Sequence, residues 1–123
     1  MIAVRYSFDY SRMMETNQAI AALTALGHAT RLAIFRLLVE AGPEGRMAGE
    51  IAEALVVPGA TLSFHLKELV LAGLIDSESR GRNVCYRANF EAMNALVAYL
   101  THNCCAGSAD ESCPPGAAAA CAC

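Results

Sequence analysis

The stretch from residue 47 to residue 73 constrains the fold more than any other part of the chain. It contains a short helical pattern, AGEIAEAL, then the turn sequence Val-Pro-Gly at 57–59, then a longer helical pattern, ATLSFHLKELVLAG. Apolar residues recur at helical spacing in the longer pattern, at Leu62, Leu66, Leu69 and Val70. Two helices joined by a tight turn, the second of them longer, are typical of a helix-turn-helix unit.

A short hairpin is predicted directly after this unit. Beyond Gly73, the segments LIDSES and NVCYRA alternate in the manner of short strands, and Ser-Arg-Gly-Arg at 79–82 joins them with Gly81 at the tip. A two-stranded ribbon that follows a recognition helix is a wing. Cys85 lies in the second strand beside Val84 and Tyr86, where a small buried or half-buried thiol is expected.

Three further helices are predicted around this core unit. The first is expected to be capped by Thr16 or Asn17 and to end at Gly27. A second opens at Thr30, where His28 just before it is expected to make a local hydrogen bond. The last is capped by Asn89. Apolar residues at helical spacing mark one face of the first and last helices: Ile20, Leu23, Leu26, Phe90, Met93, Leu96, Val97 and Leu100.

The chain of 123 residues is long enough for one domain. We expect an N-terminal extension at 1–15, a folded domain at 16–105 and a flexible cysteine-containing tail at 106–123, with the true start at either Met1 or Met14. The start has no signal-peptide pattern, and no run reaches the roughly 18 uncharged apolar residues that cross a bilayer. No membrane association and a cytoplasmic location, where thiols stay reduced, are therefore expected.

The charge distribution is compatible with DNA binding although the formal net charge is −3. Basic residues gather around the longer helix and the hairpin, and the N-terminal part of a recognition helix contacts base edges in the major groove. Hydroxyl, imidazole and ammonium groups suit bases or phosphates, while arginines at a hairpin tip suit phosphates or a narrow minor groove. The predicted DNA-binding residues are Thr61, Ser63, His65, Lys67, Arg80 and Arg82.

The cysteines point to binding of a soft ion. Five of the six cysteines fall in the last twenty residues, at 104, 105, 113, 121 and 123. In a reducing compartment such clustering favours metal or metalloid binding, or redox sensing, over a disulfide framework. An enzyme is not expected, because the chain has no Gly-rich phosphate loop, no credible triad and no paired carboxylates. Cys121-Ala-Cys123 also lacks the Cys-x-x-Cys spacing of thioredoxin-like sites.

The segments HATRLAIFRLL, TLSFHLKELVLAGLI and GRNVCYRAN resemble the arsenical-resistance repressor (ArsR/SmtB) family between about Thr16 and Cys105. The resemblance implies a mainly α fold with a small β-hairpin, a winged helix-turn-helix in the order α1-α2-α3-α4-β1-β2-α5. It also implies a homodimer that binds double-stranded operator DNA and releases it when an inducer binds. The first and last helices would form the dimer interface, with candidate residues Ile20, Leu23, Phe90, Met93, Val97 and Leu100.

Two inducer sites known in the family are not expected here. One is a Cys-x-Cys in the helix before the recognition helix, where this chain has MAGEIA at 47–52. The other is a zinc site across the paired last helices, whose register here reads Asn89, Glu91, His102 and Cys105. Only His102 matches that pattern, so a tight tetrahedral zinc site is unexpected. A solvent-facing His102 and a capping Asn89 are the preferred interpretations.

The remaining candidate is an arsenic site formed by Cys104, Cys105 and Cys113. Trivalent arsenic is thiophilic and takes three sulfur ligands, and some family members resemble this chain in a Cys-Cys pair followed by a third cysteine. Cys113 is preferred over Cys121 and Cys123 because its loop is the shortest to close. Antimony(III) is a further candidate inducer, and zinc a less favoured one.

Three alternatives stay open on the same fold. A sensor of trivalent methylarsenic needs only two thiolates, which Cys104 and Cys105 supply. A zinc or cadmium sensor would use His102 with sulfurs of the tail. A thiol redox regulator would pair Cys113 or Cys121 with one of the adjacent cysteines.

Overall fold

The computed structural model describes residues 14–104 as five helices and a small sheet. The elements in chain order are α1 (Thr16–Leu26), α2 (Ala29–Ala41), a short 3-10 helix (Gly42–Glu44), β1 (Arg46–Met47), α3 (Ala48–Leu55), α4 (Gly59–Leu71), β2 (Ile75–Arg80), β3 (Asn83–Ala88) and α5 (Phe90–Thr101). This mainly helical winged helix-turn-helix architecture is the one predicted. The proposed extension and tail lie largely outside the described residues, as do Cys105, Cys113, Cys121 and Cys123.

The sheet has three antiparallel strands in the order β1-β3-β2, whereas the sequence predicted a two-stranded hairpin. The additional strand β1 pairs Arg46 with Tyr86 and Met47 with Cys85. The wing strands pair in register from Ile75 with Ala88 to the pair that closes the turn, Arg80 with Asn83. Two residues are too few to show an alternation of polar and apolar side chains, so the sequence gives no sign of β1. The strand is defined by its pairing with β3.

Helix α1 begins with a different cap from the one predicted. Glu15 is the N-cap, and its backbone N–H donates to the side-chain oxygen of Gln18 at 3.1 Å, so the expectation that Thr16 or Asn17 caps this helix is wrong. Gln at the third helical position satisfies an N–H that would otherwise lack a partner. The predicted end at Gly27 is confirmed.

The starts of α2 and α5 agree more closely with the sequence. His28 caps α2, accepting a hydrogen bond through Nδ1 from the Thr30 N–H at 3.1 Å, so its expected local bond is confirmed and the helix opens at Ala29 rather than Thr30. Asn89 caps α5 as predicted, with its side-chain oxygen accepting from the Ala92 N–H at 3.0 Å.

The core lies between the helices and the inner side of the sheet. Helix α1 packs against it through Ala19, Ala22 and Ala25, whose small side chains allow the helix to approach closely, while Ile20 and Leu23 stay exposed. The largest fully buried side chains are Ile34, Leu38, Ile51, Leu66, Leu69, Leu74, Ile75 and Cys85. The predicted burial of Cys85 is confirmed, and its Sγ donates to the Glu44 carbonyl oxygen at 3.5 Å.

Within the described residues, no single helix is long and apolar enough to cross a membrane. Two pairs of consecutive helices reach that length and hydropathy only when they are joined across a sharp bend. They are α1 with residues Ala29–Glu44, bent by 102°, and α3 with α4, bent by 113°.

Candidate DNA-binding surface and effector site

Helix α4 occupies the recognition-helix position of the helix-turn-helix. The chain leaves α3 through Val56, which caps that helix in the left-handed region at φ 54° and ψ 56°, and Pro58 caps the start of α4. The buried side of α4 consists of Leu62, His65, Leu66 and Leu69. This side anchors the helix to the core and leaves the opposite side accessible.

The structure places five of the six predicted DNA-binding residues at the surface. Thr61, Ser63 and Lys67 are exposed on α4, and Arg80 and Arg82 are exposed at the end of the wing. His65 is the exception, because only 6% of its surface is accessible. The expectation that His65 lies on the exposed face is wrong: it shares the inward side of α4 with Leu62, Leu66 and Leu69.

Phe64, the residue directly before His65, is the exposed one of the two, with 56% of its surface accessible. At 3.6 residues per turn, positions 60, 64, 67 and 71 follow one stripe of a helix, and all four residues there are exposed. The same count would have revealed Phe64, since the leucines at 62, 66 and 69 define the opposite side. Phenylalanine is buried more often than histidine in proteins, so residue type by itself does not indicate that Phe64 is the exposed member of this pair.

The environment of His65 disfavours the protonated form of its imidazole. Burial lowers the pKa of His65 below its ordinary value, and the nearby charges of His28 and Arg31 lower it further, while Glu68 opposes them. Its Nδ1 and the Nε of Arg31 are both buried without a hydrogen-bond partner in the described part of the chain. The imidazole therefore acts as a packing group on the inner side of α4.

Two arginines of the wing are paired with a carboxylate, and a third is not paired within residues 14–104. Glu78 bonds to Arg87 at 2.7 Å and to Arg80 at 3.4 Å, and these arginines lower the pKa of the Glu78 carboxyl. Arg87 also donates through Nε to the Pro43 carbonyl oxygen at 3.2 Å, which connects the wing to the 3-10 helix before β1. Arg82, beside Gly81 at the tip, makes no ion pair within residues 14–104. Its guanidinium is the most available cation of the wing.

The candidate interface residues fall into two groups. Ile20, Leu23, Val97 and Leu100 are exposed on α1 and α5, each with 44% or more of its surface accessible. Phe90 and Met93 are half-buried and pack against the core of their own chain. The two helices are joined by a 2.7 Å hydrogen bond between Thr16 Oγ1 and the Tyr99 hydroxyl.

Among the three proposed arsenic ligands, the structure describes only Cys104, which is exposed just beyond the end of α5. The Cys104 thiol is disulfide-bonded. The two other proposed ligands, Cys105 and Cys113, lie outside the described residues. Within 14–104, no group of three or more His, Cys, Asp or Glu side chains is arranged to hold a metal ion.

Known proteins share this fold and part of the sequence. A family model described as "Helix-turn-helix domain" matches residues 26–78. The HTH-type transcriptional regulator YgaV of Escherichia coli (strain K12) is 36% identical over 83 residues, which cover 68% of this chain and 82% of that protein. An ArsR-like transcriptional regulator from Rhodococcus sp. RHA1 superposes with a TM-score of 0.60 at 28% identity, over 68% of this chain and 76% of the other.

Two more solved structures are similar. HlyU from Vibrio cholerae N16961 has a TM-score of 0.57 at 27% identity, covering 73% of this chain and 96% of its own. The homodimeric winged helix-turn-helix domain of Mb0332 from Mycobacterium bovis, a possible ArsR-family regulator, has a TM-score of 0.56 at 27% identity, over 71% and 81% of the two chains. The chain belongs to the ArsR family of transcriptional regulators. Its homologues are DNA-binding transcriptional regulators, so this ArsR-family protein is a regulator and not an enzyme.

The ArsR-family zinc pattern does not fit the last helix of this regulator. Asn89, at the first ligand position, uses its oxygen to cap α5 and donates through Nδ2 to the Gly73 carbonyl oxygen at 3.3 Å. A zinc ligand role for the Asn89 oxygen would compete with the bond that caps the helix. The segment aligned with the family's Cys-x-Cys site forms the end of β1 and the start of α3, and has no thiol.

Proposed function

We propose that this ArsR-family regulator is an arsenic(III)-responsive repressor that binds operator DNA as a cytoplasmic homodimer. The observation that carries the DNA-binding part is the accessible surface of α4, where Ser63 and Lys67 are exposed while the buried leucines anchor the helix. Hydroxyl and ammonium groups at these positions can bond base acceptors or phosphates. Arg82 at the wing tip adds a cation for the backbone beside the groove.

A homodimer is supported by the unburied apolar surface of α1 and α5. Ile20 and Leu23 on one helix, with Val97 and Leu100 on the other, remain accessible in the single chain. Side chains of this size gain about 1.5–3 kcal/mol each on full burial, so a second copy is a favourable cover. The similar Mb0332 domain is homodimeric. Two copies would present two α4 helices to the two halves of a symmetric operator.

The arsenic part of the proposal rests on the position of Cys104. It follows α5, on which Val97 and Leu100 lie in the proposed dimer face, so a ligand bound there acts at the end of a dimerisation helix. Cys105 and Cys113 would complete a three-sulfur set, and soft thiolates favour arsenic(III) or antimony(III) over hard cations. Each thiol loses its proton as the ion binds, so the site requires reduced cysteines.

The protein releases operator DNA if the ion binds more tightly to the form of the dimer that does not bind DNA. Only such a difference in affinity can shift the equilibrium. Coupling free energies of about 1–3 kcal/mol are typical and correspond to a loss of operator affinity of about 5–150-fold. In the proposed dimer, the packing of the two α5 helices would set the separation of the two α4 helices, and this would provide the coupling.

The test is operator binding by fluorescence anisotropy with fully reduced protein, titrated separately with arsenite, methylarsenite and zinc. We expect arsenite to release the DNA, the C104S/C105S variant to bind normally without release, and Cys113→Ser to lose the arsenite response. Release by methylarsenite that survives Cys113→Ser would assign a two-thiol sensor. Release by zinc alone would exclude the arsenic site.

A thiol redox regulator is the second candidate, favoured by one observation, the disulfide at Cys104. One of the similar structures is that of reduced HlyU from Vibrio cholerae N16961. In this mechanism an oxidant takes two electrons from Cys104 and a second thiol, both protons leave, and the disulfide changes the end of α5. Oxidation of the metal-free protein would then release the operator, and arsenite under full reduction would not.

A further inference from the structure

Phe64 is the one aromatic side chain in the centre of the exposed side of α4. It lies one turn after Ala60 and one turn before Lys67, on the stripe directly opposite the buried leucines. More than half of its surface is accessible, although an exposed phenylalanine gains nothing from the core. Its position in the N-terminal half of the helix is the part of a recognition helix that enters the major groove.

The ring of Phe64 has a definite neighbour. It packs edge-on against the buried imidazole of His65, with ring centroids 5.4 Å apart and an interplanar angle of 61°. Because His65 is held inside the protein, this contact steadies the base of an otherwise exposed ring. A side chain held in this way loses less rotamer entropy when it binds a partner.

The flanking residues favour DNA as that partner over another apolar protein surface. Ser63 and Lys67 border Phe64 on the same exposed side, and both are polar. In the major groove, bases offer donors, acceptors and one apolar group, the 5-methyl of thymine, which Phe can contact. An exposed ring beside a hydroxyl and an ammonium group matches that mixture.

We infer that Phe64 reads a thymine methyl in each half of the operator, and so determines part of the sequence specificity of this protein. The inference rests on the proposed operator binding and extends it by naming the base and the contacting side chain. Phe64 contacts the thymine methyl group of an A·T pair, whereas Ser63 and Lys67 contact polar groups of the bases or phosphates. Removal of one methyl from such a contact weakens binding about fourfold, the equivalent of about 0.8 kcal/mol.

The experiment begins with selection of tight-binding duplexes from a random pool by the full-length reduced protein. Each thymine of the selected operator is then replaced singly by uracil, which lacks only the 5-methyl and keeps the same hydrogen-bonding groups. We expect one position per half-site at which uracil lowers the affinity about fourfold, and about sixteenfold when both half-sites carry it. Phe64→Ala should bind the thymine and uracil operators equally.

Leu71→Ala is the matched control, because Leu71 is also exposed on this stripe but lies seven residues further along α4. It should discriminate thymine from uracil as the wild type does. If the selected operator binds equally well with thymine and with uracil, or if Phe64→Ala keeps the difference in affinity, the role of Phe64 is overturned and operator binding still holds. If no duplex is selected, both operator binding and the role of Phe64 are overturned. The two failures are therefore distinguishable.

Discussion

The imidazole rings of His28 and His65 lie 4.6 Å apart, centroid to centroid, and connect the N-cap of α2 to the buried side of the recognition helix. The two planes are inclined by 42°. His28 uses its Nδ1 to cap α2, while His65 has only 6% of its surface exposed. A proton on His65 would therefore be buried next to a second histidine and near Arg31.

This arrangement predicts that stability falls in mild acid. Burial, His28 and Arg31 all lower the pKa of His65 in the folded state below the value of 6.5 that it has when unfolded. The unfolded chain then binds more protons, so stability is complete above about pH 6.5 and is lost as the pH falls from there toward the folded pKa. Melting temperatures of the wild type between about pH 5 and 8 should show this loss.

The matched variants for that measurement are His65→Gln and His102→Gln. His65→Gln removes the buried imidazole, so its melting temperature should depend less on pH between about 5 and 7. His102 is exposed at the end of α5, and its substitution should keep the wild-type profile. An unchanged slope in His65→Gln would show that other groups cause the acid loss.

Gly45 should be far less tolerant of alanine than Gly42. Both have positive φ, 71° and 76°, in a region that only glycine adopts readily. A Cβ on Gly45 would overlap the backbone oxygen of Tyr86, whereas a Cβ on Gly42 would meet nothing within 4 Å. Gly42→Ala should cost about 1–3 kcal/mol of unfolding free energy from strain alone, and Gly45→Ala at least about 1 kcal/mol more.

Urea unfolding at one fixed protein concentration measures this difference, because a dimer's stability depends on concentration. The comparison controls for conformation, since the two glycines have nearly the same φ and lie three residues apart. Equal losses for the two variants would mean that β1 and β3 can separate enough to admit the methyl group.

Val97→Asp should weaken dimerisation. Val97 is apolar and 55% exposed in the proposed interface, and an unpaired carboxylate buried there would cost at least about 1–3 kcal/mol. The dimer dissociation constant should rise about tenfold or more in sedimentation measurements. Leu32→Asp on α2, also at an exposed leucine, is the control and should stay dimeric. A dimeric Val97→Asp protein would place the interface elsewhere.

Arg82→Ala should reduce DNA affinity nearly equally on all sequences. A cation that contacts phosphate releases counterions, so its loss lowers the slope of log affinity against log salt by about 1. Arg36 on α2 is exposed and paired with Glu40 at 3.4 Å, and Arg36→Ala should leave the slope unchanged. If Arg82→Ala also leaves it unchanged, the wing tip does not contact the backbone.

The local features of this protein were predictable from neighbouring residues. The leucine spacing of α4 located the recognition helix, Arg-Gly-Arg located the wing turn, and Asn89 before an amphipathic run located the cap of α5. The buried Cys85 followed from strand alternation. The cysteine cluster of the C-terminus suggested a soft ion, and that suggestion stays a prediction to be tested in solution.

The order and type of the helices and the position of the wing could be predicted from the amino-acid sequence, because helical periodicity and turn chemistry depend on residues only a few positions apart. The burial of His65, the exposure of Phe64 and the third strand at Arg46–Met47 arise only when the elements pack together. The polarity of histidine predicted an exposed His65. Its neighbours His28 and Arg31 belong to the start of α2, more than thirty residues earlier in the chain, so the local sequence around His65 does not reveal them. Contacts of this kind depend on how the elements pack together, and no local pattern records them.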